Sequence, residues 1–90
     1  MGKAVPEVKI NLDKERTMRL DLNALETFEE TAGKELKDFK GSIKDIKAMV
    51  WSSLMHEDAE LTLDQVGKLV HLGNLDAVTS AIEELMSKND

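Results

Sequence analysis

Two stretches near the start of the chain constrain its fold more than any other feature. In "VKINL", residues 8–12, Val8, Ile10 and Leu12 alternate with Lys9 and Asn11. In "TMRLDL", residues 17–22, Met18, Leu20 and Leu22 alternate with Arg19 and Asp21. Alternation with period two marks a strand with one buried face. The polar residues between them, "DKER" at 13–16, suit a short hairpin loop. Pro6 stands just ahead of the first strand, where it removes no ladder bond. A lone hairpin is not stable in water, so its apolar face needs a cover.

That cover is helical. Asn23 with Glu26 three residues on is a capping-box-like pair, followed by Leu25, Phe28 and Ala32 on one face and Gly33 as a stop. The polar segment "KELKDFKG" at 34–41 follows, with Leu36 and Phe39 expected to tuck inward as a short helical turn. Ser42 with Asp45 starts the next helix, whose main stripe is Ile43, Ile46, Val50 and Leu54. Thr62 with Gln65 starts a third, carrying Leu63, Val66, Leu69 and Val70, with Gly73 as its stop. Asn74 caps a fourth, with Leu75, Val78, Ile82 and Leu85 as its stripe, and the tail at 87–90 is expected to fray. No linker divides the chain and no internal repeat is visible. The expectation is an α+β fold in a single domain, 1–90: a two-stranded antiparallel hairpin over 7–22 packed on about four short helices over 23–87.

Composition narrows the function. Ninety residues support one small core. With no cysteine, disulfides and thiolate metal sites are excluded. No apolar run approaches the roughly 20 residues that cross a bilayer, and "MGKAVPEVKI" has no long apolar core of a secretory signal. A myristoylation signal needs Ser or Thr where Pro6 stands. The expectation is a soluble intracellular protein with no membrane partner. The net charge of −6 is uneven. Residues 1–45 hold nine Lys/Arg against ten Asp/Glu, a net of −1; residues 46–90 hold three against eight, a net of −5. Such a surface repels phosphate backbones, which argues against nucleic acid, and suits a basic or mixed-charge protein partner or simple solubility.

The chemistry candidates are few. "HEDAE" at 56–60 places an imidazole among carboxylates. A zinc helix of the H-E-x-x-H kind needs a second His four residues on, and Glu60 stands there instead. The bland alternative puts His56 in the last turn of its helix, where positive charge is favoured. Glu57, Asp58 and Glu60 read as solvated, the serines have no triad setting, and the glycines at 33, 41, 67 and 73 are isolated rather than forming a phosphate loop. No catalytic residue, metal site or cofactor site is expected, and the chain is not expected to be an enzyme. A binding role is more promising. At about 100° per residue, Ala48, Trp51 and Met55 fall on a second stripe of the 42–56 helix. That stripe is either a second buried side of a central helix or a partner-binding face anchored by the only Trp.

The blocks "RTMRLDLNALETFEETAGKEL" and "DIKAMVWSSLMHEDAELTLDQVGKLVHLGNLDAVTSAIEEL" resemble the tail assembly chaperones of long-tailed bacteriophages and prophages, in the small branch shared with gene transfer agents. The resembling features are Trp51, the acidic loop His56 to Asp58, the Leu61–Thr62 cap, Gly67 and the amphipathic stretch 74–86. They span about residues 8 to 85. One departure is Ser52 and Ser53, where the family often has an Ala-Gly pair after the Trp. The resemblance implies a non-enzymatic chaperone that coats the tape measure protein in the host bacterial cytoplasm and is absent from the mature virion. Its implied partner is the tape measure protein, with the tail tube protein as a second candidate; a homo-oligomer is left open. The alternative is a small acidic regulatory domain that binds another phage or host protein.

Overall fold

The computed structural model describes residues 4–87, so most of the tail expected to fray lies outside the described residues. It has the α+β architecture expected: a two-stranded antiparallel hairpin followed by four α-helices. The strands are β1 (Glu7–Asn11) and β2 (Glu15–Arg19). The helices are α1 (Leu22–Ala32), α2 (Ile43–Leu54), α3 (Leu63–Leu69) and α4 (Leu75–Ser87), with a short 3-10 turn at Leu36–Asp38.

In the hairpin, Val8 faces Met18 and Ile10 faces Arg16. Both strands lie earlier in sequence than the apolar alternation indicated. The loop shrinks because Glu15 and Arg16, expected in it, belong to β2. Arg16 is buried on the inward face of its strand, and a charged residue there hides the strand from any count of apolar alternation. At the other end, Leu22 does not extend the hairpin face. Asp21 leaves the sheet and caps α1, its Oδ1 accepting from Ala24 N at 2.9 Å. The expected Asn23–Glu26 cap is therefore displaced upstream, where a full carboxylate meets the positive end of the helix. Leu22 becomes the first helical residue and is 82% exposed. The far end follows expectation: Gly33 has φ 73°, and its N–H bonds Glu29 O at 2.9 Å.

α2 is the central element, in contact with α1, α3, α4 and β2, while α4 lies against β1. Its stripe of Ile46, Val50 and Leu54 is buried, and so are Ala48, Met49, Ser52 and Ser53 on its other sides. The two serines fit because their hydroxyls turn back onto their own helix: Ser52 Oγ donates to Met49 O at 3.2 Å and Ser53 Oγ to Val50 O at 2.9 Å. Ile43 departs from the main stripe that periodicity predicts and lies outside the core. The rest of the core comes from the hairpin (Met18, Leu20), from Phe28 of α1, from Val66 of α3 and from Val78, Ile82 and Leu85 of α4. Leu36 and Phe39 do tuck inward, the Phe39 ring 6.0 Å from that of Phe28.

α3 opens on the capping box expected, with Gln65 N donating to Thr62 Oγ1 at 3.1 Å and Thr62 N to Gln65 Oε1 at 2.8 Å. Its end differs. Val70 closes the helix, and Gly73 has no left-handed φ. Asn74 organises the connection instead: Oδ1 accepts from His71 N at 2.8 Å and Nδ2 donates to Leu69 O at 2.8 Å. Its side chain thus reaches back to α3 rather than forward to cap α4, leaving only its carbonyl to accept from Val78 N.

Candidate protein-binding groove

The "HED" segment is a structural clamp. His56 lies just past the end of α2, and its imidazole leaves the helix to bond β2. Nε2 is 2.7 Å from Thr17 O; a carbonyl only accepts, so Nε2 carries the proton. Glu57 Oε1 accepts from Thr17 N at 2.9 Å. Asp58 Oδ2 accepts from Arg16 Nη1 at 3.3 Å. Consecutive side chains therefore satisfy the outward-facing backbone of Thr17 and complete the shell of a buried guanidinium. A sheet edge left open invites pairing with other chains, and here side chains close it. Arg16 is held mainly by Asp13, with Nε to Oδ1 at 2.8 Å and Nη2 to Oδ2 at 2.9 Å. That fork lowers the Asp13 carboxyl to about 2, and raises Arg16 further above its usual range. Among the described residues no group of His, Asp or Glu is placed to hold a metal ion.

A second polar cluster locks the start of α2. Asp45 is fully buried. Its Oδ2 accepts from Lys40 N at 2.8 Å, while the Lys34 ammonium lies 3.0 Å from Oδ1. Oδ1 has no well-formed hydrogen bond besides that charge contact. Burial pushes this carboxyl up, but the Lys40 N–H and the Lys34 ammonium outweigh it, so it sits below the usual range. Like the clamp, this cluster is consumed in holding elements together.

The stripe expected to bind a partner is not a single surface. Ala48 is 1% exposed, inside the core. Trp51 is half-buried against the core, and its indole N–H donates to Leu61 O at 2.7 Å, tying α2 to the segment before α3. Met55 is half-buried at the end of α2, lining a separate shallow recess with Ala24, Thr27 and Ser52.

The open apolar surface is elsewhere. A groove of about 380 Å³ runs between α2, α3 and the turn into α4, lined by Ile43, Ile46, Val66, Val70, Leu72 and Leu75. Ile43 is 72% exposed and Leu72 92% exposed, two large aliphatic side chains left in water on the groove's rim. A recess of about 390 Å³ formed with Leu63 and Thr31 shares Ile43 with it. Periodicity missed this face because Ile43 continues the stripe of Ile46 and Val50 yet is the first residue after the Ser42 cap. Leu22 after Asp21 stands in the same position, and both project beyond the core. Position relative to the cap was the signal available in the sequence.

Comparison with protein-family models, with curated proteins and with solved structures found no match to this chain.

Proposed function

We propose that this chain is a non-enzymatic protein-binding module, a tail assembly chaperone that holds an amphipathic segment of a phage tape measure protein during tail assembly. It would act in the bacterial cytoplasm and leave before the particle is complete. The observation that carries the reading is the apolar groove between α2 and α3, with Ile43 and Leu72 exposed on its rim. Apolar grooves between helices are where amphipathic helices dock, through anchors at i, i+3 or i+4, and i+7. The conspicuous polar clusters support the same reading, because their partners are structural: Asp58 and Glu57 serve β2, and Asp45 serves the start of α2. The sequence resemblance supplies the identity of the partner.

The test is co-expression with the tape measure protein of the phage or prophage that encodes this chain. The parent chain should co-purify with it, and Ile43→Asp/Leu72→Asp should not, while melting as the parent does. Both side chains are exposed, so the double variant keeps the core intact. Failure of the parent to co-purify rejects the chaperone reading. Retention of the partner by the double variant rejects the groove as its binding face.

A further inference from the structure

The groove is not only apolar. Its α2 wall carries Lys47, and the neighbouring recess carries Lys44 and Lys47 together. The chain has 18 acidic residues against 12 Lys and Arg, and half of the basic side chains among the described residues pair with a carboxylate. Arg16, Arg19, Lys34, Lys37 and Lys68 all have one. Lys9, Lys14, Lys40, Lys44 and Lys47 have no ion-pair partner among the described residues, and of these Lys44 and Lys47 line the groove and its neighbouring recess.

The side chain of Lys47 also lies close against α3. Gly67 sits in the interior of α3, where glycine costs helix stability relative to alanine. A Cβ at Gly67 would lie 3.0 Å from Lys47 Cε and 3.2 Å from Nζ. The missing methyl is what lets the lysine stem lie across α3 and bring its ammonium to the groove. A half-buried stem with a wet charged end is the ordinary arrangement for such a side chain; a glycine that makes room for it is not.

We propose that the groove takes a helix whose apolar stripe is bordered by carboxylates, with Lys47, given room by Gly67, and Lys44 pairing with those acids. This rests on the groove being the partner-binding face and adds the charge pattern of the partner. Apolar anchors supply most of the affinity, and the two lysines set which helices are accepted and in which direction they lie.

Two labelled synthetic helices serve as probes, identical in a leucine stripe and flanked by Glu in one and by Lys in the other. Binding to the full chain is read by fluorescence anisotropy. The Glu-flanked helix should bind about fivefold tighter than the Lys-flanked one, the scale of two exposed ion pairs, and added salt should erase the difference. Lys44→Glu/Lys47→Glu should reverse the preference. Gly67→Ala should keep or raise the melting temperature, since alanine is the better helix former, yet shrink the preference by displacing Lys47. Equal binding of the two helices, or preference for the Lys-flanked one, overturns the proposal even where the tape measure protein still co-purifies. A clear preference without tape measure co-purification leaves this inference standing and rejects the chaperone reading. Concentration-dependent dimerisation abolished by Ile43→Asp would make a second copy of the chain the occupant and would likewise overturn it.

Discussion

The imidazole of His56 donates to the carbonyl oxygen of Thr17 at 2.7 Å, across 39 positions of sequence. Glu57, the next residue, accepts from the N–H of the same Thr17. Two neighbouring side chains thus imitate what a third strand would offer to that point of β2. The loop after α2 ties the hairpin to the helices, because Asp58 also bonds Arg16 on the same strand.

The first prediction follows from that clamp. His56→Ala and Glu57→Ala should each cost about 1 kcal/mol, the net value of one hydrogen bond. The more specific readout is amide hydrogen exchange. Glu57→Ala should speed exchange at Thr17 while leaving Met18, whose N–H faces β1, nearly as protected as before. Unchanged exchange at Thr17 would show that the bond contributes nothing in solution.

The second prediction concerns Asp45. It is completely enclosed, and it joins three segments: the Lys40 backbone, the Lys34 side chain and the Ser42 turn, whose hydroxyl accepts from Asp45 N. Asp45→Ala should destabilise the fold by about 2 kcal/mol, since it leaves the part-buried Lys40 N–H and the Lys34 ammonium without their acceptor and empties a fully buried site. Asp45→Asn keeps an acceptor for Lys40 and should cost less. Urea unfolding of the two variants separates the cases; equal losses would mean that the carboxylate charge, and not the acceptor that asparagine retains, accounts for the whole effect.

Much of the architecture was legible because it rests on patterns that sequence states directly. Val8 and Ile10 alternate with exposed residues, Thr62 and Gln65 form a reciprocal cap, and Gly33 ends a helix in the left-handed region. What failed to show was decided by contacts distant in sequence. Arg16 reads as a loop residue until Asp58, 42 positions away, is seen beside it. His56 reads as a helix-end charge until Thr17 is placed within reach. Ala48 reads equally as a second buried side or as a partner face because a helical wheel has no knowledge of how many neighbours α2 has; surrounded by three helices and a strand, α2 buries nearly every side. The groove itself depends on Leu72 in a turn that Asn74 shapes, and on Gly67 being bare where Lys47 crosses.

The third prediction separates the two roles once open for Trp51. Its ring packs on the core, and its N–H has an internal acceptor in Leu61 O. Trp51→Phe keeps most of the packing and should cost about 1 kcal/mol for the lost bond. Trp51→Ala should cost about 3 kcal/mol, the lower part of the range for removing a large aromatic, because the ring is only half-buried. Chemical shifts of Leu61 and Thr62 should move in both variants. A Trp51→Ala chain as stable as the parent would return this residue to the surface as a candidate for partner contact.

The last prediction is a pH dependence. Arg16 forks onto Asp13 and lowers its carboxyl from 3.8 to about 2 in the folded chain. A carboxyl with a depressed folded value stabilises the fold wherever it is ionised in both states, and that contribution fades as acid protonates the folded form. The stabilisation from Asp13 should therefore be complete above about pH 5, decline from the unfolded value near 3.8, and be gone below about pH 2. Asp13 is 42% exposed, so solvent screens the pair and the whole contribution should stay below about 1 kcal/mol. Asp45, also lowered, adds a slope of the same sign over the acid range, so the parent curve alone cannot isolate Asp13. Asp13→Asn can, because an asparagine resembles the protonated acid at every pH. Its stability should fall short of the parent at neutral pH and merge with it as the pH drops from 4 to 2. A gap that stays constant across that window would mean that Asp13 acts on the turn through its shape and not through its charge.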